Sequence, residues 1–232
     1  MIVKSGSISS EIKDASTIYW VPRPLYSLFG GKTIRLLREK LKDCHSVLDL
    51  GCGFNSPIRF INVEYSLGIE MFEPYLNESK RKSLHSEYCQ ADIRSIDFKA
   101  NTFDAVILLE VLEHLNKQEG LKLIINMQMW AKKKVIITVP NGFVSQDPYD
   151  ENNLQEHRSG WSVKELSGLG FKVYGLGGIK QLHGYKGNIK YRPEIMWKSI
   201  SFLAMPLLYY MPSHAFLLGA VWDKNDEHLK SR

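Results

Sequence analysis

The strongest chemical signal in the sequence is an apolar run that ends in glycines, Val47-Leu48-Asp49-Leu50-Gly51-Cys52-Gly53. Gly51 and Gly53 let the backbone turn sharply and approach a ligand where a side chain would collide, which points to a nucleotide-like ligand. A dinucleotide fingerprint wants a third glycine at position 56, where Ser56 stands, and an apolar residue in place of Asp49. Both departures weaken a nicotinamide reading. A second apolar run, Leu67-Gly68-Ile69-Glu70, ends in a carboxylate about 20 residues further on. An ionised carboxylate only accepts hydrogen bonds, so at the tip of a neighbouring strand Glu70 can take both hydroxyls of a ribose. Alone, such a Glu reads as a solvated strand end.

Glu110, Glu113 and His114 follow a later apolar run, at the carboxyl edge where open α/β sheets bind ligands. They invite an acid/base reading. The bland alternative has Glu110 lining a pocket while Glu113 and His114 orient a loop or cap the next helix. From Gln146 to Trp161 the chain is strongly polar and too long for a mere connection, so it is expected to bind something or cover a site. His157 lies within it, either as an acceptor-side group or as a hydrogen-bonding partner of its own loop.

These residues need a scaffold that gathers strand tips. Short apolar runs alternating with helical or glycine-marked segments predict strands over 46–50, 65–70, 87–90, 105–109, 135–139, 171–175 and 215–222, the pattern of βαβ units around a parallel sheet. Helical spacing predicts an amphipathic helix over 32–42 and another over 117–131, the latter with Leu121, Ile124, Ile125 and Met129 on one face. Ser162 and Glu165 have capping-box spacing, so a helix should start after Trp161 and end near Gly170. The aromatic, proline-broken segment 19–29 suggests a cap. The apolar stretch 195–211, interrupted by Lys198 and Pro206, is too broken for a bilayer span. It reads as a buried or capping helix, with an interfacial helix that collects a lipophilic substrate as the alternative.

Composition excludes several classes. With 232 residues, 44% of them hydrophobic, the chain can build one sizeable core, and no repeat or low-complexity tract argues otherwise. A net charge of +5 permits an anionic partner without demanding one. Lys80-Arg81-Lys82 and Lys132-Lys133-Lys134 carry no interleaved aromatics, so they read as solvated helix ends and no nucleic-acid partner is expected. The three cysteines, Cys44, Cys52 and Cys89, lack even pairing and metal-ligand spacing; no disulfide framework and no metal site are expected. A reduced, cytoplasmic setting fits, and nothing at the N-terminus reads as a secretion signal.

Taken in order, these motifs resemble the class I S-adenosylmethionine-dependent methyltransferases, particularly the broad group acting on small molecules. Asp49-Leu50-Gly51-Cys52-Gly53 resembles their first motif, Gly68-Ile69-Glu70 their ribose-binding acid and Ala91-Asp92-Ile93 their adenine-edge acid. Phe103-Asp104-Ala105-Val106, followed by Glu110-Val111-Leu112-Glu113-His114-Leu115, resembles the fourth-strand motif, Val139-Pro140-Asn141-Gly142 the fifth-strand exit and Gly170-Phe171-Lys172-Val173 the entry to the sixth strand. Asn55 stands where many relatives have a further glycine.

The resemblance implies a Rossmann-like three-layer α/β sandwich whose seven-stranded sheet is mostly parallel with an antiparallel last strand. It implies an N-terminal cap and helix over 1–44 and a methyltransferase domain over 45–232, with acceptor-side insertions at 143–161 and 180–212. Gly51 and Gly53 would pack against the methionine part of S-adenosylmethionine, Glu70 would hold its ribose and Asp92 its adenine amino group. Asp49, Cys52, Met71, Ile93 and Glu110 complete the expected cofactor set, and Glu113, His114 and His157 are the catalytic candidates. Asp92 alone reads equally as a loop or capping residue. The expected activity is methyl transfer to a small, partly hydrophobic metabolite, driven by alignment and exclusion of water, since a sulfonium is already an electrophile. The rival readings are a non-catalytic binding module and a nicotinamide-dependent oxidoreductase. No membrane span is expected, peripheral membrane contact stays open, and the sequence leaves the oligomeric state undetermined.

Overall fold

A computed structural model of the chain describes residues 31–148 and 151–226; the aromatic segment 19–29 lies outside them. The strands are β1 (Ser46–Leu50), β2 (Tyr65–Glu70), β3 (Glu87–Gln90), β4 (Phe103–Leu109), β5 (Ala131–Pro140), β6 (Lys172–Gly175) and β7 (Leu217–Asp223), in the order β3-β2-β1-β4-β5-β7-β6. Neighbours from β3 to β5 run parallel, and β7 runs antiparallel to both β5 and β6. The helices are α1 (Gly31–Lys40), α2 (Glu73–Arg81), α3 (Lys117–Trp130), α4 (Val163–Gly168) and α5 (Glu194–Tyr210).

The central strands are apolar on both faces because helices cover both. Successive side chains alternate between two cores. Leu48, Val106, Leu108, Val135 and Ile137 pack with α3, whereas Val47, Ala105, Ile107 and Ile136 pack with Leu36, Leu37 and Leu41 at and just beyond α1. The order reverses between β1 and β4, and that switch point opens a crevice at the strands' carboxyl ends.

Three expectations are corrected. On α3 the buried stripe is Gly120, Leu123, Ile124, Met127 and Trp130, while Leu121, Ile125 and Met129 are exposed, Ile125 by 62%. The helix is apolar nearly all round, so spacing admitted two faces; a fit between Gly120 and the ring of Trp161, where an added Cβ would meet the ring at 2.7 Å, selects the observed one. Lys132-Lys133-Lys134 is the start of β5, not a helix end. Lys134 pairs with Asp43 at 2.8 Å and Asp223 at 3.7 Å, and Lys132 and Lys133 approach Asp104 at 3.8 and 3.7 Å. Finally, α5 is not buried. Among the described residues of this helix only Ser201 and Leu208 are buried, and Ile195, Leu203 and Tyr210 are exposed by 77, 76 and 81%. No helix of the described residues is long and apolar enough to cross a membrane.

Candidate active site

The turn after β1 needs glycine for two reasons. Gly51 and Gly53 have φ of +66° and +56°, the left-handed region that costs other residues strain. An added Cβ at Gly51 would also lie 2.7 Å from a methyl of Val111, whereas at Gly53 it would meet nothing within 4 Å. The first glycine therefore permits close packing and the second leaves open space. Asp49 works behind the turn: its Oδ2 accepts from the Ser56 hydroxyl at 2.6 Å and from His85 Nε2 at 2.9 Å, all three side chains being buried. Ser56, the departure from a dinucleotide fingerprint, also accepts from the Ile58 amide at 3.2 Å and caps the short helix Pro57–Phe60.

Glu70 joins the two strand tips. One carboxylate oxygen accepts from the Gly53 amide at 3.0 Å and the other from Phe72 at 2.8 Å. A carboxylate offers about four acceptor sites, so capacity remains for a hydroxyl donor. Burial raises its pKa above the usual range, against the pull of the Phe72, Gly53 and Met71 amides. Asp92, beyond β3, accepts the Arg94 amide at 2.9 Å and grips the Arg94 guanidinium, with Nη2 at 2.7 Å. The guanidinium holds its carboxyl below the usual carboxylate range.

Beyond β4, Glu110 has a φ of +54°, a left-handed conformation of the kind that recurs at functional sites. Its amide is held by the Thr138 carbonyl at 3.0 Å. The side chain is exposed to the cavity, and desolvation there pushes its carboxyl up to about 7, against a hydrogen bond from Thr138. The Glu113 carboxyl is raised well above its usual value, first by burial and then by the Glu110 charge. His114 donates from Nδ1 to the Glu156 carbonyl at 3.1 Å, and burial lowers its pKa to about 4. His157 donates from Nδ1 to the Val144 carbonyl at 2.7 Å and is likewise lowered by burial. The two imidazoles meet edge to face with centroids 4.8 Å apart.

Trp161 brings His157 there. The ring is buried beside Gly120, carries the Lys117 ammonium 3.7 Å from its centroid, and donates from Nε1 to the Ser159 hydroxyl at 2.9 Å. Its carbonyl accepts the Gly142 amide at 2.7 Å, and the Arg158 and Ser159 amides both bond the Glu113 carbonyl, at 2.8 and 3.0 Å. The polar loop is thus fastened at its base to β5 and to the turn after β4.

One cavity of about 540 Å³ collects these parts. Gly51, Cys52, Gly53, Glu70, Met71, Asp92, Ile93, Glu110, Glu113, His114 and His157 all line it. Asp49 does not; it braces the turn from behind. Sequence reasoning missed His85, which shares no spacing with Asp49, although the bare Gly68 that makes room for its ring, 3.0 Å from an added Cβ, was visible. It also missed His183 and Phe216, whose rings stack 4.2 Å apart on the far wall of the cavity.

Within a sheet of this order, with a glycine turn and an acid on adjacent strand tips, residues 48–134 match the family described as methyltransferase domain. Over 144 residues the chain is 31% identical to an uncharacterized protein of Methanocaldococcus jannaschii, covering 60% of this chain and 61% of that one. Over 141 residues it is 26% identical to the sterol 24-C-methyltransferase ERG6 of Saccharomyces cerevisiae, covering 53% of this chain and 34% of that one. The matches thus span less than two thirds of both curated relatives. The crystal structure of a SAM-dependent methyltransferase from Archaeoglobus fulgidus shares the fold with a TM-score of 0.54 at 17% identity, over 87% of this chain and 98% of that one.

Proposed function

We propose that the cavity binds S-adenosylmethionine and that the protein transfers its methyl group to a small, partly hydrophobic acceptor. The observation that carries this reading is the pair of strand tips joined by Glu70, with open space at Gly53 and unspent acceptor capacity on the carboxylate. Glu70 would hold the ribose, Asp92 and Ile93 the adenine edge, and Gly51, Gly53 and Glu110 the methionine end. Bound there, the cofactor supplies a methyl group on a sulfonium. The chain's own residues orient the acceptor and exclude water, which is where most of the acceleration of such a transfer originates. Titration calorimetry with S-adenosylhomocysteine, NAD and NADP tests the reading: binding of the first alone supports it, and binding of a nicotinamide cofactor in its place refutes it.

The acceptor side comprises the loop 143–161 and the segment 180–212, inserted in a domain spanning 45–232. A row of exposed apolar side chains on α5, with Lys190, Arg192 and Lys198 nearby against the single acid Glu194, supports peripheral contact with an anionic lipid surface from which a lipophilic acceptor is drawn. The free cysteines Cys44, Cys52 and Cys89 accord with a reducing compartment such as the cytoplasm.

A further inference from the structure

The sequence directs attention away from metals, because its cysteines have no ligand spacing. The geometry points elsewhere: we propose that Glu113, His114 and His157 form a binding site for a divalent first-row transition metal ion, with open coordination positions facing the cavity. A carboxylate oxygen and one ring nitrogen from each histidine lie within 4.8 Å of one another. Two histidines and one carboxylate is a set that suits such ions and leaves positions free for an oxygen ligand.

Three observations separate this group from an ordinary polar cluster. Both imidazoles donate from Nδ1 to a backbone carbonyl, His114 to Glu156 and His157 to Val144. That fixes the tautomer with the lone pair on Nε2, the outer-shell arrangement that metal-ligating histidines use. The Glu113 side chain is buried, and its Oε2 has no hydrogen-bond partner among the described residues. An orphaned buried carboxylate oxygen is costly unless something meets it. Lastly, the nearby Arg158 is tied to Glu156 at 3.4 Å, and its amide and that of Ser159 hold the Glu113 carbonyl, so the main chain beneath the ligands is fixed.

A bound ion sits about 2.1 Å from imidazole nitrogen and carboxylate oxygen, which sets its ligands about 3 Å apart. A rotation of the Glu113 carboxyl that brings Oε2 toward the histidines would close the remaining gap. All three side chains line the same cavity as the glycine turn, so an ion there would bind an oxygen of the methyl acceptor and lower the pKa of its proton. This deepens the acceptor side of the proposed function, but the binding itself does not depend on the cofactor.

The test uses the full-length protein, stripped with a chelator and dialysed, and the metals alone. Titration calorimetry with Mn²⁺, Co²⁺ and Zn²⁺ should give saturable binding of one ion per chain, and the Co²⁺ form should show visible absorption bands shifted by nitrogen ligation. His157→Ala and His114→Ala should each weaken binding at least tenfold with the circular dichroism spectrum unchanged. His45→Ala, at an exposed histidine paired with Glu64 at 2.8 Å, should leave it intact. Glu113→Gln should lower affinity too, and the histidine variants keep the test decisive should that variant fold poorly. No saturable binding, binding indifferent to both histidine variants, or tighter binding of Mg²⁺ and Ca²⁺ than of the transition ions would overturn the proposal. Calorimetry with S-adenosylhomocysteine on the same stripped protein reports on the cofactor reading independently.

Discussion

The two halves of the cavity are built on different principles. The glycine-turn half is made by backbone: amides of Gly53 and Phe72 on one carboxylate, positive φ at two glycines, and strands in register. The opposite half is made by side chains from distant parts of the chain, with Trp161 against Gly120 and His157 against His114. A local sequence pattern suffices for the first. The second exists only once the sheet has formed, so it is free to differ between proteins of one fold.

Perturbing each half separately should expose that contrast. Trp161→Ala removes a buried ring and should cost about 3–5 kcal/mol in chemical denaturation. It should also release the loop, so that hydrogen exchange rises over 142–161 while the β1 turn keeps its protection. Gly51→Ala adds strain and a clash with Val111; a loss of about 2–4 kcal/mol is expected, together with loss of S-adenosylhomocysteine binding by calorimetry. If Gly51→Ala proved neutral, the backbone account of this half would fail.

Smaller effects sharpen the division. Glu70→Ala should cost about 1–2 kcal/mol from two amides left unpaired, and weaken cofactor binding at least tenfold; unchanged affinity would remove Glu70 from the ribose. For Glu110 the folded pKa is about 7 against an ordinary 4.5. Its contribution to stability is therefore present below about pH 4.5 and lost as the pH rises through about 7. In metal-free protein Glu110→Gln should gain Tm over the wild type across that interval, and a constant difference would contradict the raised pKa. Leu203→Asp on α5 should leave Tm nearly unchanged while reducing co-sedimentation with anionic vesicles, and equal sedimentation of both proteins would dissociate α5 from lipid.

The glycine-turn half was legible in the sequence because its signals are local. The short apolar runs and their glycine-marked ends gave β1, β2 and β3 their observed limits, and Gly51, Gly53 and Glu70 lie where strand-tip chemistry required. Asp49, expected in the cofactor set, stands behind the turn, and its partners Ser56 and His85 were not legible because the turn and the segment before β3 bring them to it. The face of α3 was misread because Leu121 and Leu123 are equally apolar and only a contact with a ring some forty residues away distinguishes them. The exposure of α5 was hidden because apolar composition alone does not say what, if anything, lies against a helix.

The fastening at the base of the polar loop has one more consequence. The Gly142–Trp161 hydrogen bond and the two amides on the Glu113 carbonyl hold both ends of the stretch between them. Because the cost of closing a loop grows only as the logarithm of its length, residues could be added or deleted between those pins at a small penalty. The fold thereby separates what may diversify from what must not: a lineage could change what the cavity admits by altering this one span, without disturbing the sheet beneath it.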